Sequence, residues 1–114
     1  MSKTISRDEL RQQIEAGEVV VAEALPAPYY EDAHLPGAIN LPHDEVEALA
    51  PELLPDKSAA IVTYCSNTAC QNSGIAAAKL EALGYTNVAK YPGGKEDWVE
   101  AGLPTESGRV AARA

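Results

Sequence analysis

The chain has 114 residues, a formal net charge of −8 and two cysteines. One domain is expected, large enough for a core without staples. An acidic surface repels phosphate backbones, which excludes nucleic-acid partners, and no apolar run approaches the roughly 20 residues of a membrane span.

Thr4-Ile5 reads as a short first strand. Ser6 N-caps a helix with Glu9 as its capping-box partner. Leu10 and Ile14 give that helix an apolar stripe, and Gly17 ends it. Val19 to Ala22 shows no alternation, so it is a strand buried on both faces. Pro26 and Pro28 break the chain, and Tyr29 to Asp32 forms one helical turn. His34-Leu35-Pro36-Gly37 is a turn, Ala38 to Asn40 a short strand, and Asp44 caps a helix that runs to Leu49. Pro51 and Pro55 bound the next loop. Ala59 to Tyr64 is a second buried strand. Ser73 caps a helix ending at Leu83, with Gly84 as its stop. Asn87 to Tyr91 is the last strand, and Gly93-Gly94 opens a final helix through Trp98, closed by Gly102 and Pro104. Strands alternating with helices imply an α/β domain with a mostly parallel sheet covered on both faces. The domain is expected over residues 1–105, with 106–114 a frayed tail. The opening MSKTISRDEL has no apolar leader, so a soluble, cytoplasmic, monomeric protein with free thiols is expected.

Both cysteines, Cys65 and Cys70, fall in the uncharged stretch YCSNTACQNSG. In such sheets ligands bind beyond the carboxyl ends of the strands. Cys65 stands there, between a buried strand and a helix N-terminus. Free amides of a first helical turn and the helix dipole favour a thiolate and lower a thiol pKa to roughly 3.5–7.5. Cys65 is therefore the candidate nucleophile; the bland reading is a buried packing thiol at a strand end. Cys70 is either a small loop residue or a resolving thiol for Cys65. The C-x4-C spacing fits neither a zinc knuckle nor a thioredoxin-type C-x-x-C, and His34 and His43 lie on other loops, so no metal or cofactor is expected.

Three landmarks then line up. His34-Leu35-Pro36-Gly37-Ala38-Ile39-Asn40-Leu41-Pro42 resembles the "GHIPGAINLP" segment of rhodanese-like domains. The strand, cysteine loop and helix at Cys65 resemble their active-site loop. Tyr91-Pro92-Gly93-Gly94 through Trp98 and Gly102-Leu103-Pro104 resemble their ending. The resemblance implies a five-stranded, mostly parallel sheet flanked by helices. It implies a sulfurtransferase that carries sulfane sulfur as a persulfide on Cys65, with a small donor and a thiol or cyanide acceptor, a protein thiol included. The loop residues Ser66, Asn67, Thr68, Ala69, Gln71, Asn72 and Ser73 would hold the charge through their amides.

Departures from the pattern carry information. Where the family has an Asp-Val-Arg type motif, this chain reads Glu23-Ala24-Leu25. Counting back from Gly84 puts Ser73 at the family's loop serine and Asn72 at its loop arginine, in a loop two residues longer. No Lys or Arg lies between Lys57 and Lys79. Arsenate-reductase or phosphatase chemistry, which needs that arginine, is disfavoured, and thiosulfate is expected to be a poor donor. The alternative is a catalytically weak redox-switch or partner-binding domain built on the Cys65/Cys70 pair. His34 and Trp98 are read as packing residues. Lys95 is either solvated or leans toward the site.

Overall fold

The computed structural model describes residues 3–108. Five strands, β1 (Lys3–Thr4), β2 (Val20–Glu23), β3 (Ile39–Asn40), β4 (Ile61–Tyr64) and β5 (Val88–Tyr91), form one sheet in the order β1-β5-β4-β2-β3. Every pairing is parallel. The helices are α1 (Arg7–Ala16), α2 (Ala27–Asp32), α3 (Val46–Leu53), α4 (Asn72–Ala82) and α5 (Gly94–Glu100). The expected α/β class and five-stranded sheet are both present.

Register explains why the central strands read as unbroken apolar runs. Val20, Ile61 and Val88 stand side by side across β2, β4 and β5, as do Val21, Val62 and Ala89 one residue on. The first row packs with Leu41, Val46, Ala76 and Leu80 in one core. The second packs with Leu10, Leu35, Tyr64, Tyr91 and Trp98 in the other. Successive side chains on a strand point to opposite faces, and here both faces meet helices. Trp98, at 1 % exposure, is core as expected, and its ring N–H donates to the Pro104 carbonyl at 2.7 Å.

Local signals hold at the first helix. The Ser6 hydroxyl accepts from the Glu9 amide at 3.2 Å, Glu9 reaches back to the Ser6 amide, and Gly17 closes the helix at φ 70°. Other caps differ from expectation. The α3 N-cap is Glu45 rather than Asp44 and lacks a side-chain bond, and the helix runs past Pro51 to Leu53. Pro51 costs it one amide donor, while burial of Val46 and Ala50 in the core holds the helix in place. Ser73 does not cap α4; Gln71 takes the N-cap, again without a side-chain bond, and the helix ends at Ala82.

The chain returns at its end to the turn after α2. His34 and Glu106 exchange two backbone hydrogen bonds of 2.8 Å, the Gly37 amide donates to the Glu106 carboxylate at 2.9 Å, and the Gly108 amide donates to the Glu31 carbonyl at 2.9 Å. Of the segment expected to fray, Glu106 and Gly108 are thus tied to the domain, and 109–114 lie outside the described residues.

Candidate active site

The sheet delivers Cys65 to the carboxyl end of β4, its central strand. From there the chain turns sharply. The Asn67 side-chain oxygen accepts from the Ala69 amide at 3.0 Å, and the Asn67 carbonyl accepts from the Cys70 amide at 3.1 Å. Thr68 and Ala69 are exposed at the tip, Gln71 is exposed at the N-cap, and Asn72 and Ser73 begin α4. An Asn that hydrogen-bonds the backbone two residues on is the device that curls this loop. The curl brings the two thiols, both free, close enough for each to act on the other's ionisation.

The loop amides are shared out differently from the sequence expectation, which aimed all of Ser66 through Ser73 at sulfur on Cys65. Ala69 and Cys70 spend theirs on Asn67. The amides of Ser66 and Asn72, with the Ser66 hydroxyl, favour a charge on the Cys70 sulfur. The Ser73 amide serves Cys65, and the Cys65 thiol donates to the Ser73 hydroxyl at 3.9 Å. The serine expected as a cap is instead a buried partner of the candidate nucleophile.

These contacts divide the charge between the sulfurs. Burial pushes the Cys65 thiol up, and its hydrogen bond to Cys70 adds to that, against the lowering effect of Ser73. Desolvation also opposes a charge on Cys70, but the Cys65 thiol and the amides of Asn72 and Ser66 outweigh it and pull Cys70 down. The expectation of a low-pKa Cys65 is therefore corrected. The two shifts run in opposite directions, up for the buried Cys65, 1 % exposed, and down for the partly exposed Cys70.

The floor of the site is clamped by α5. The Lys95 amide donates to the Cys65 carbonyl and the Glu96 amide to the Ser66 carbonyl, both at 2.8 Å. Gly94 makes this approach possible. A Cβ there would stand 2.6 Å from the Cys65 carbonyl oxygen and 2.9 Å from the Asn67 nitrogen, and its φ is +70°.

The Lys95 side chain does not lean freely toward the thiols. Its ammonium donates to Glu23 Oε2 at 3.0 Å and to the Tyr29 carbonyl at 2.9 Å. Glu23 is fully buried, and its other oxygen accepts from the Tyr64 hydroxyl at 2.6 Å; that hydroxyl accepts in turn from the Leu35 amide at 3.0 Å. Burial raises the Glu23 pKa, with Tyr64 and Lys95 pulling it back. Sequence reading noted Glu23 only for its place in a motif and missed this network. A carboxylate directly after an apolar run is the signal, because a buried charge needs a partner. It also missed Lys90, a β5 residue whose ammonium reaches the first turn of α4, 3.5 Å from where a Gly74 Cβ would stand.

His34 is structural, as expected. It is 5 % exposed, stacks on Tyr30 with ring centres 3.8 Å apart, and has Nδ1 2.7 Å from the Tyr30 carbonyl. Among the described residues no group of three or more His, Cys, Asp or Glu side chains is arranged to hold a metal ion, and no helix is long and apolar enough to cross a membrane.

Comparison with known proteins agrees with this geometry. The family model for the rhodanese-like domain matches residues 6–101. An HTH-type transcriptional regulator of Mycobacterium tuberculosis is 36% identical over 104 residues, which cover 91% of this chain and 45% of the regulator. A thiosulfate sulfurtransferase of Escherichia coli is 37% identical over 67 residues, 59% of this chain and 62% of the enzyme. The chain thus spans less than two thirds of either relative. Among solved structures, the BH2092 protein of Bacillus halodurans superposes with a TM-score of 0.85 at 31% identity, covering 99% of this chain and 82% of that one.

Two outcomes follow for the clamp. Gly94→Ala adds a strained φ and a backbone clash, so unfolding in urea should show a loss of about 2–5 kcal/mol; a loss below about 0.5 kcal/mol would show that the loop is not seated on α5. Lys95→Met strands the Glu23 carboxylate and should cost about 3–5 kcal/mol at neutral pH. With its partner gone, Glu23 has a folded pKa raised further above its ordinary 4.5. The deficit is full above the folded value and shrinks as pH falls through it toward 4.5. A deficit that stays constant with pH would mean Glu23 is not the group left unpaired.

Proposed function

The chain belongs to the rhodanese-like domain family, and on that premise we propose that it is a sulfurtransferase in which Cys65 accepts a sulfane sulfur and hands it to a thiol or to cyanide. The observation that carries the reading is the place of Cys65: the end of the central strand, under the first turn of α4, clamped by α5. Cys65 must lose its proton to attack, and the Ser73 amide and hydroxyl favour the thiolate that results. The Cys65 thiolate then attacks the outer sulfur of the donor. With thiosulfate, the S–S bond breaks and sulfite leaves with the bonding pair. An acceptor thiolate, of a small molecule or a protein, attacks the outer sulfur of the persulfide, and Cys65 leaves as the thiolate. No oxidant or reductant enters the cycle.

Amides supply the anion binding. Lys90 adds one ammonium at α4, a point charge without the bidentate fork of an arginine. The family's loop arginine is replaced by Asn72 in an otherwise uncharged loop, on a chain of net charge −8. Thiosulfate is therefore a poor donor on this reading. A second reading, a redox or partner-binding switch with little turnover, draws on the burial of Cys65 and its contact with Cys70. The likeness to a transcriptional regulator fits a sensing role of that kind.

Incubation with thiosulfate, followed by intact mass, separates the two. The mass of one sulfur atom should appear on Cys70→Ser and not on Cys65→Ser. If Cys65→Ser is loaded as well as Cys70→Ser, Cys65 is not the carrier; if neither is loaded, the switch reading gains. A charge-assisted contact is worth roughly 1.5–3 kcal/mol. Asn72→Arg should therefore lower the Michaelis constant for thiosulfate by about ten- to a hundredfold. An unchanged constant in steady-state kinetics would place residue 72 away from the donor.

A further inference from the structure

We propose that Cys70 resolves the persulfide: it attacks Cys65 Sγ, expels the outer sulfur as hydrosulfide and closes a Cys65–Cys70 disulfide. The inference rests on the reading that Cys65 takes up sulfane sulfur, and it adds a second, reductive outcome to the same site.

The loop is built for this contact. An extended chain would carry residue 70 roughly 16 Å beyond residue 65. Here the Asn67 turn folds the chain back, and the two thiols meet. The turn is internally satisfied, so the loop's own hydrogen bonds hold the backbone folded back. Ser66, before the turn, and Asn72, after it, flank Cys70 and supply the amides that act on its sulfur. Attack needs a thiolate, and the same amides favour one at Cys70. Cys70 is also the more exposed of the two, so its own proton can pass to water.

The step balances without another reagent. The bond between Cys65 Sγ and the outer sulfur breaks, and a bond between the two Sγ atoms forms. The outer sulfur leaves with the bonding pair and one proton as hydrosulfide. It is reduced by two electrons, which the two cysteine sulfurs lose together. An added thiol reductant reopens the disulfide by exchange. When an external acceptor thiol arrives first, the outer sulfur goes to the acceptor instead, so acceptor supply decides between transfer and release.

The test is thiosulfate loading without acceptor, at a donor concentration high enough to load Cys70→Ser, with hydrosulfide trapped and non-reducing intact mass and peptide mapping in parallel. Wild type should release one hydrosulfide per chain and end lighter by two hydrogens, with Cys65 joined to Cys70 in a cross-link that dithiothreitol reverses. Cys70→Ser should keep the added sulfur and release none, and Cys65→Ser should do neither. A wild-type adduct that stays in place on Cys65 overturns the inference and leaves the persulfide reading standing; one that stays on Cys70 overturns both. A disulfide formed with no matching hydrosulfide is plain oxidation and overturns it as well. If Cys70→Ser takes up no sulfur, the persulfide reading fails and the inference falls with it.

Discussion

Lys95 holds the site together from both of its ends. Its amide grips the Cys65 carbonyl and its ammonium grips the buried Glu23, so one residue ties α5 to β2, to β4 and to the cysteine loop. Charges are expensive to take out of water, and a pair with Glu23 buried and Lys95 partly exposed repays the cost only when the remaining donors and acceptors are also engaged. They are engaged here, by the Tyr64 hydroxyl on one Glu23 oxygen and the Tyr29 carbonyl on the ammonium. The Tyr64 hydroxyl passes the connection on to the Leu35 amide, and so to the turn that carries His34. Gly94 then lets the backbone of α5 come close enough for the clamp to close.

Against that rigid floor the chemistry is a contest over one proton. Burial favours the neutral thiol at both cysteines, and the amides at the start of α4 favour the thiolate. The amides of Ser66 and Asn72 lower Cys70 against its own desolvation. Cys65, with Ser73 as its local support and almost no exposure, is held above its ordinary value by burial. The two shifts are linked, because each thiol is among the groups that move the other.

Much of the fold could be read in the sequence, and the reasons are local. Val19 to Ala22 and Ala59 to Val62 are unbroken apolar runs because both faces of the sheet are covered, and Ser6 with Glu9 writes a capping box in four residues. What could not be read depends on distant partners or on loop geometry. Glu23 and Lys95 are far apart in the chain, and nothing near either one names the other. Lys90 reaches the cysteine helix from a neighbouring strand, so a search of the loop for cations passes over it. The charge was expected on Cys65 because the helix dipole was taken to act on the residue after the strand. The Asn67 turn moves that advantage to Cys70. Pro51 was read as a boundary, yet tertiary burial carries α3 through it.

On the proposed reading, sulfur is carried on Cys65, at the end of β4 and beneath the first turn of α4. A crystal structure of the Cys70→Ser protein after thiosulfate treatment, with sulfur located by anomalous scattering, tests it directly. The extra sulfur should lie about 2.0 Å from Cys65 Sγ. An unmodified Cys65 would contradict it.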